Sequence, residues 1–256
     1  MINIMIFGGG YSAERYVESL IWNATYSVSL CGFGISHKTE ALSSRYRLPL
    51  IRFSDLSQPV LNKFDCVILS VPVEKKLLLY RTITVELEFA GAIILEKPLC
   101  ISRQDWNYYM DSNHIAQQFA VVCQRDYSLS KYQINPAKCY DLVFPSVFCD
   151  NRSRIIHDLP HIFSWFYSVL GCVPHIDQIS SNCMYGQCDD SCFQVHFETW
   201  SFSSSVCING VGYPPVQYRQ LNAEIVRNVL LYTHVESLTN AHKALTVANA
   251  LIILLE

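Results

Sequence analysis

Through the first 125 residues, short apolar runs alternate with longer amphipathic stretches, the pattern of successive βαβ units around a parallel sheet. Residues 1 to 7 predict a first strand, and Ala13, Tyr16, Val17, Leu20 and Ile21 give the next segment one apolar helical face. A second strand is expected at about Tyr26 to Cys31, a helix around Ser36 to Tyr46, and a third strand over Pro49 to Phe53. The run Asp65 to Val71 is continuous enough to be buried on both faces, and Pro72 ends it. A helix from about Val73 to Leu87 leads to a strand ending at Lys97. Ser102-Arg103-Gln104-Asp105 then reads as a capping box, and Phe119 to Cys123 as a sixth strand.

Beyond about residue 126 the pattern changes. Arg154 to Leu170 is helical in period and stops at Gly171, while Ile176 to Met184, Cys192 to Thr199 and Ser203 to Ile208 read as strands of an antiparallel sheet. Residues from about Ser237 to Leu255 close the chain with a helix. The expectation is an α/β protein: a Rossmann-type doubly wound parallel sheet over 1–124, a smaller α/β unit with a mostly antiparallel open sheet over 125–236, and a C-terminal helix, 237–256, returning to the first unit.

Composition narrows the function classes. Half of the 256 residues are hydrophobic, enough for a sizeable core, and a net charge of −3 offers no basic excess for nucleic acid. The N-terminus lacks the cationic and apolar regions of a signal peptide, and no apolar run approaches the roughly 20 residues of a membrane span. No membrane partner and a cytoplasmic location are therefore expected. The eleven cysteines are odd in number and irregular in spacing, so they read as small buried residues rather than a disulfide framework. Cys183, Cys188, Cys192 and His196 have ligand-like spacing but no two-residue knuckle, and no metal is assigned to them.

Candidate chemistry begins between the first strand and first helix. Gly8-Gly9-Gly10-Tyr11-Ser12-Ala13 fits the G-x-G-x-x-A form of the dinucleotide fingerprint. Gly8 permits the tight turn, Gly10 the approach of a pyrophosphate and Ala13 close helix packing, while the amides at Tyr11 and Ser12 open the helix toward phosphates. A plain glycine-rich turn is the alternative. The second strand ends without the carboxylate that receives the ribose hydroxyls of NAD. Ser36, His37 and Lys38 follow instead, a set suited to a 2′-phosphate, so NADP is favoured over NAD; the same three residues would equally form the solvated start of a helix. Ser70 and Pro72 at the fourth strand tip, and Glu96 with Lys97 at the fifth, face the crevice where such sheets bind ligands.

The fingerprint, the strand ending at Pro72, Glu96-Lys97-Pro98 and the helix beginning His157-Asp158-Leu159-Pro160-His161 together resemble the Gfo/Idh/MocA family of NAD(P)-dependent oxidoreductases. The resemblance implies hydride transfer between nicotinamide and a secondary alcohol or ketone of a sugar, nucleotide sugar or cyclitol. It also implies a homo-oligomer built through the sheet of the second unit. By the same resemblance Lys97 orients or polarises the substrate oxygen, His161 is the general acid/base, and Asp158 orients it or binds a neighbouring hydroxyl. His157 is the rival for either role. Two positions depart from the family pattern: Lys76 stands where a histidine is common, and Ser164 where an aspartate often follows the catalytic histidine. The other readings are a dinucleotide-binding regulatory or assembly protein without turnover, and an imine reductase on the same fold.

Overall fold

The computed structural model describes residues 1–32, 37–111, 118–134, 137–180, 182–199, 205–214 and 217–256. The chain divides into two compact units, Met1–Val122 with Tyr218–Leu245, and Cys123–Gln217 with Thr246–Glu256.

In the first unit, β1 (Ile2–Phe7), α1 (Tyr11–Leu20), β2 (Tyr26–Gly32), α2 (His37–Tyr46), β3 (Leu50–Arg52), α3 (Gln58–Leu61), β4 (Cys66–Leu69), α4 (Val73–Arg81), β5 (Ala92–Glu96), α5 (Arg103–Met110) and β6 (Phe119–Val122) follow one another. All six strands are parallel, in the order β3-β2-β1-β4-β5-β6. The strand order reverses between β1 and β4, which opens a crevice at their carboxyl ends. Central strands β4 and β5 are buried at every position, as continuous apolar runs require when helices cover both faces. The expected cap of α5 is present, with the Asp105 amide donating to Ser102 Oγ at 3.1 Å. The helix expected to run from Val73 to about Leu87 instead widens into a π turn over Thr82–Glu86.

The second unit holds α6 (Gln124–Leu129), β7 (Cys139–Ser146), α7 (Asn151–His157), α8 (Leu159–Leu170), β8 (His175–Ile179), β9 (Cys183–Cys188), β10 (Ser191–Thr199), β11 (Val206–Ile208) and β12 (Val211–Tyr213). Its sheet runs β12-β11-β7-β10-β9-β8. Every pairing is antiparallel except β7 with β10, so the sheet is mixed. Alternation sorts its two faces: Tyr140, Leu142, Phe144, Met184, Phe193, Val195 and Phe197 join the core with Ile162, Phe163 and Phe166 of α8.

Two helices close the chain, α9 (Tyr218–Leu230) and α10 (His234–Leu255). α9 belongs to the first unit, burying Leu221, Ile225, Val226 and Val229. Within that unit α10 covers the edge strand β6: the Phe119 amide donates to Ser237 Oγ (3.1 Å) and the Val121 amide to Asn240 Oδ1 (2.7 Å). An edge strand left open would template pairing with another chain, and these two side chains occupy its donors. Further along, Val247 and Leu251 enter the core of the second unit. Among the described residues α10 is the one helix long and apolar enough to cross a membrane by length and composition, with a mean hydropathy of 1.3, so the expectation of no such run does not hold.

The cysteines also depart from expectation. Register partners on β7 and β10, Cys139 and Cys192 form a disulfide with Cα atoms 4.7 Å apart. Cys172, just past the left-handed Gly171 cap of α8, brings its Sγ to 2.6 Å from that of Cys188. Spacing along the chain gave no hint of either pair, because strand register and helix docking make them.

Candidate active site

The carboxyl end of the first sheet assembles around three glycines. Gly8 sits at φ +112°, in the region that favours glycine, and a Cβ there would fall 2.2 Å from the Ser70 carbonyl oxygen. The tips of β1 and β4 therefore close only around glycine. Gly9 has a constraint the fingerprint did not assign: a Cβ on it would lie 2.3 Å from the Thr39 amide nitrogen, in the first turn of α2. Gly10 is the opposite case, with open space where a side chain would stand.

Gly10 also caps α1 without a side chain. The helical ladder begins with the Glu14 amide donating to the Gly10 carbonyl at 3.0 Å, so the preceding amides of Tyr11, Ser12 and Ala13 point out of the helix. An open glycine over three outward amides is the cradle a pyrophosphate needs, and these residues fit the phosphates of a dinucleotide. Ala13 is fully buried, while Tyr11 is exposed and accepts a hydrogen bond from Arg15 at 2.6 Å.

At the ribose end the picture is cationic. Ser36 lies outside the described residues. His37 and Lys38 are exposed at the start of α2, where His37 Nδ1 stands 3.8 Å from the Glu40 carboxylate. Arg52, which the sequence reading did not single out, is the register partner of Gly32 and so stands at the tip of β3 beside the end of β2. A basic residue closing a short third strand was the available signal.

Lys97 follows β5 directly and is half-buried between Glu96, 5% exposed, and Pro98, joined to it by a cis peptide. Its turn is bound by another lysine. Lys76 of α4 is 1% exposed, and its ammonium donates to the carbonyls of Glu96 and of Pro98, the latter at 2.5 Å. The two acceptors bracket Lys97. A buried ammonium needs such partners, since carrying a bare charge out of water is costly. Lys76 thus ties the backbone on both sides of Lys97, a role that its standing in place of a histidine did not reveal. Ser70 is half-buried and Pro72 exposed at the neighbouring tip of β4.

In the second unit, Asp158 interrupts the helical run expected from Arg154 to Leu170 and links α7 to α8. Its carboxylate is buried and accepts a hydrogen bond from Ser146 Oγ, at the end of β7, at 2.5 Å. His161, in the first turn of α8, is 8% exposed, and its ring lies 6.5 Å from that of Phe144 in a stacked orientation. Its backbone amide donates to the Asp158 carbonyl at 3.0 Å, so the two residues share one turn. His157 is exposed and stacks on Phe148, with ring centroids 4.6 Å apart.

Ser164, one turn beyond His161, donates its hydroxyl to Asp126 Oδ2 at 2.7 Å, and both residues are buried. A carboxylate thus stands in this neighbourhood after all, brought from α6 rather than from α8.

No family model matches the sequence, and no curated protein matches it. Solved structures do. A WlbA (WbpB) dehydrogenase from Thermus thermophilus, in complex with NAD and UDP-GlcNAcA, superposes with a TM-score of 0.69 over 99% of this chain and 94% of that one, at 13% identity. A Gfo/Idh/MocA family oxidoreductase from Vibrio cholerae gives 0.68 over 100% and 98%, at 14% identity. The chain has the Gfo/Idh/MocA fold. A myo-inositol dehydrogenase from Sinorhizobium meliloti, so described provisionally, gives 0.68 over 97% and 95%, at 12% identity. The resemblance read from the motifs is borne out in architecture, and the second sheet is mostly antiparallel as expected.

Proposed function

We propose that this protein is an NAD(P)-dependent oxidoreductase that moves a hydride between nicotinamide and a secondary alcohol or ketone of a sugar, nucleotide sugar or cyclitol. The observation that carries the reading is Lys97, half-buried at the tip of β5 in a turn that Lys76 holds from both sides, in the same sheet as the open glycine cradle. When bound, the nicotinamide supplies the hydride chemistry at its C4. The chain supplies the rest. Lys97 hydrogen-bonds and polarises the reacting oxygen, His161 exchanges a proton with it, and Asp158, fixed by Ser146, orients the imidazole or a neighbouring hydroxyl. His157, exposed and stacked, binds substrate periphery. The carbohydrate class rests on the nucleotide-sugar complex of the Thermus protein and on the inositol dehydrogenase likeness.

Arg52, His37 and Lys38, with no carboxylate at the end of β2, favour NADP over NAD. The same reading keeps the protein in the cytoplasm and makes the outward face of the second sheet the surface for a homo-oligomer. Binding of NADPH and NADH followed by nicotinamide fluorescence, then a panel of sugars and nucleotide sugars screened at the nicotinamide absorbance band, tests the proposal. Lys97→Ala and His161→Ala are each expected to abolish turnover while leaving cofactor affinity within about tenfold. Cofactor binding with no turnover on any substrate would favour a regulatory dinucleotide-binding role, and absence of cofactor binding would overturn both readings.

A further inference from the structure

The candidate site in the second unit holds a cation that proton exchange does not use. Arg125, the second residue of α6, is half-buried, and its guanidinium carbon lies 4.6 Å from the centroid of the Phe144 ring. His161 faces the same ring in a stacked orientation, so guanidinium and imidazole are neighbours of one side chain. A second arginine repeats the arrangement one strand away. Phe197 on β10 is the direct register partner of Phe144 on β7, and both rings join the same core. Arg154 of α7, 5% exposed, lies 4.8 Å from the Phe197 centroid and donates from Nε to the Phe148 carbonyl at 3.0 Å. Two guanidinium groups therefore stand over adjacent phenylalanines, near the strand end where Ser146 holds Asp158.

The two arginines differ in what they have left to give. Arg154 is fixed by a backbone carbonyl. Arg125 has its aromatic contact and, among the described residues, no ion pair or hydrogen bond. Asp126 and Asp158, the carboxylates of this site, each accept from a serine, Ser164 and Ser146. The face of a phenylalanine attracts a guanidinium but takes none of its in-plane N–H groups, so the fork of donors on Arg125 stays open to a ligand. That fork matches a carboxylate or phosphate in two parallel hydrogen bonds, and it keeps its charge at any working pH. Partly withdrawn from water, it binds an anion more strongly than a surface arginine does.

We propose that Arg125 binds an anionic group carried by the substrate, a carboxylate or a phosphate ester, and so selects acidic sugars over neutral sugars and cyclitols. The inference narrows the substrate class proposed above and rests on that reading for the placement of substrate beside His161. Arg125 takes no part in the hydride or proton steps. It fixes the substrate at one point while His161 addresses the reacting oxygen, and two anchors on one sugar decide which hydroxyl is presented.

Calorimetric titration of the full chain, with and without NADPH, tests it, using glucuronate, galacturonate and glucose 6-phosphate against glucose, galactose and myo-inositol. At least one acidic sugar is expected to bind about tenfold or more tightly than its neutral counterpart, and which one does so distinguishes carboxylate from phosphate. Arg125→Gln is expected to bring that sugar to the neutral level, and Arg125→Lys, charged but without the fork, to recover part of the difference. If Arg125→Gln does not fold, the parent protein carries the test: raising salt about tenfold weakens the acidic sugar several-fold and leaves the neutral one unchanged. No acidic sugar binding more tightly than its neutral counterpart overturns the proposal, and so does an affinity that Arg125→Gln leaves in place. Acidic sugars held by Arg125 with no turnover of any would leave this binding site standing and overturn the oxidoreductase reading. Turnover of a neutral sugar, unchanged in Arg125→Gln, would do the reverse.

Discussion

At the scale of single residues, Lys76 is the most consequential departure from the family pattern. A histidine at that position would offer one ring edge, whereas the lysine reaches two carbonyls across the Lys97 turn while itself 1% exposed. Lys76→Met keeps the stem and removes the donor. Both carbonyls then lose a charged partner inside the protein, a loss of about 1–3 kcal/mol that denaturant unfolding would report. If Lys76 also positions Lys97, the variant weakens kcat more than KM, and Lys76→Arg restores part of it. A variant that loses stability but keeps full kcat would confine Lys76 to a structural role. The sequence marks this residue as a departure but not its role, because its partners are backbone atoms 20 and 22 positions away. Lys97 was legible for the opposite reason, since a cation after a buried strand has one place to go.

At the scale of elements, the parallel half was legible nearly strand by strand, because fully buried strands and amphipathic helices differ in period. The second unit was less so. β7 escaped because Cys139, Asp141 and Val143 alternate outward and Pro145 lies within the strand, a residue that usually argues against one. α9 escaped although Leu221, Ile225, Val226 and Val229 recur at helical spacing. The Asp126–Ser164 bond needs α6 beside α8, which no spacing reveals. Asp126→Asn keeps the shape and removes the charge. If this carboxylate stands in for the family's aspartate, turnover falls at least tenfold with melting temperature little changed, and an unaltered kcat would make it a packing feature. Gly9→Ala tests another element contact: the added Cβ meets the α2 backbone at 2.3 Å, so α2 must shift, at about 1–3 kcal/mol. An alanine variant as stable as the parent would show that α2 does not rest on Gly9.

At the scale of the whole molecule, the chain shares its fold over 97–100% of its length with structures such as those of the Thermus, Vibrio and Sinorhizobium proteins at 12–14% identity. The Cys139–Cys192 disulfide joins the one parallel strand pair of the second sheet and closes a loop of 53 residues. By the chain-entropy account such closure stabilises the fold by about 4 kcal/mol. Ser146, which holds Asp158, ends the same strand that Cys139 begins, so loosening β7 from β10 reaches a proposed catalytic residue. A reducing cytoplasm would leave these two thiols unbonded. Non-reducing mass spectrometry of protein drawn rapidly from the cell and alkylated at once decides between the two states. With the bond present, reduction is expected to lower the melting temperature by roughly 10 °C, the size that about 4 kcal/mol produces in a chain of this length. Cys139→Ser should match the reduced protein in melting temperature and leave the binding of NADPH to the first unit unchanged. A chain whose thiols at 139 and 192 are both alkylated in the cell would place it in a reducing compartment, and the second sheet would then rest on its core packing alone.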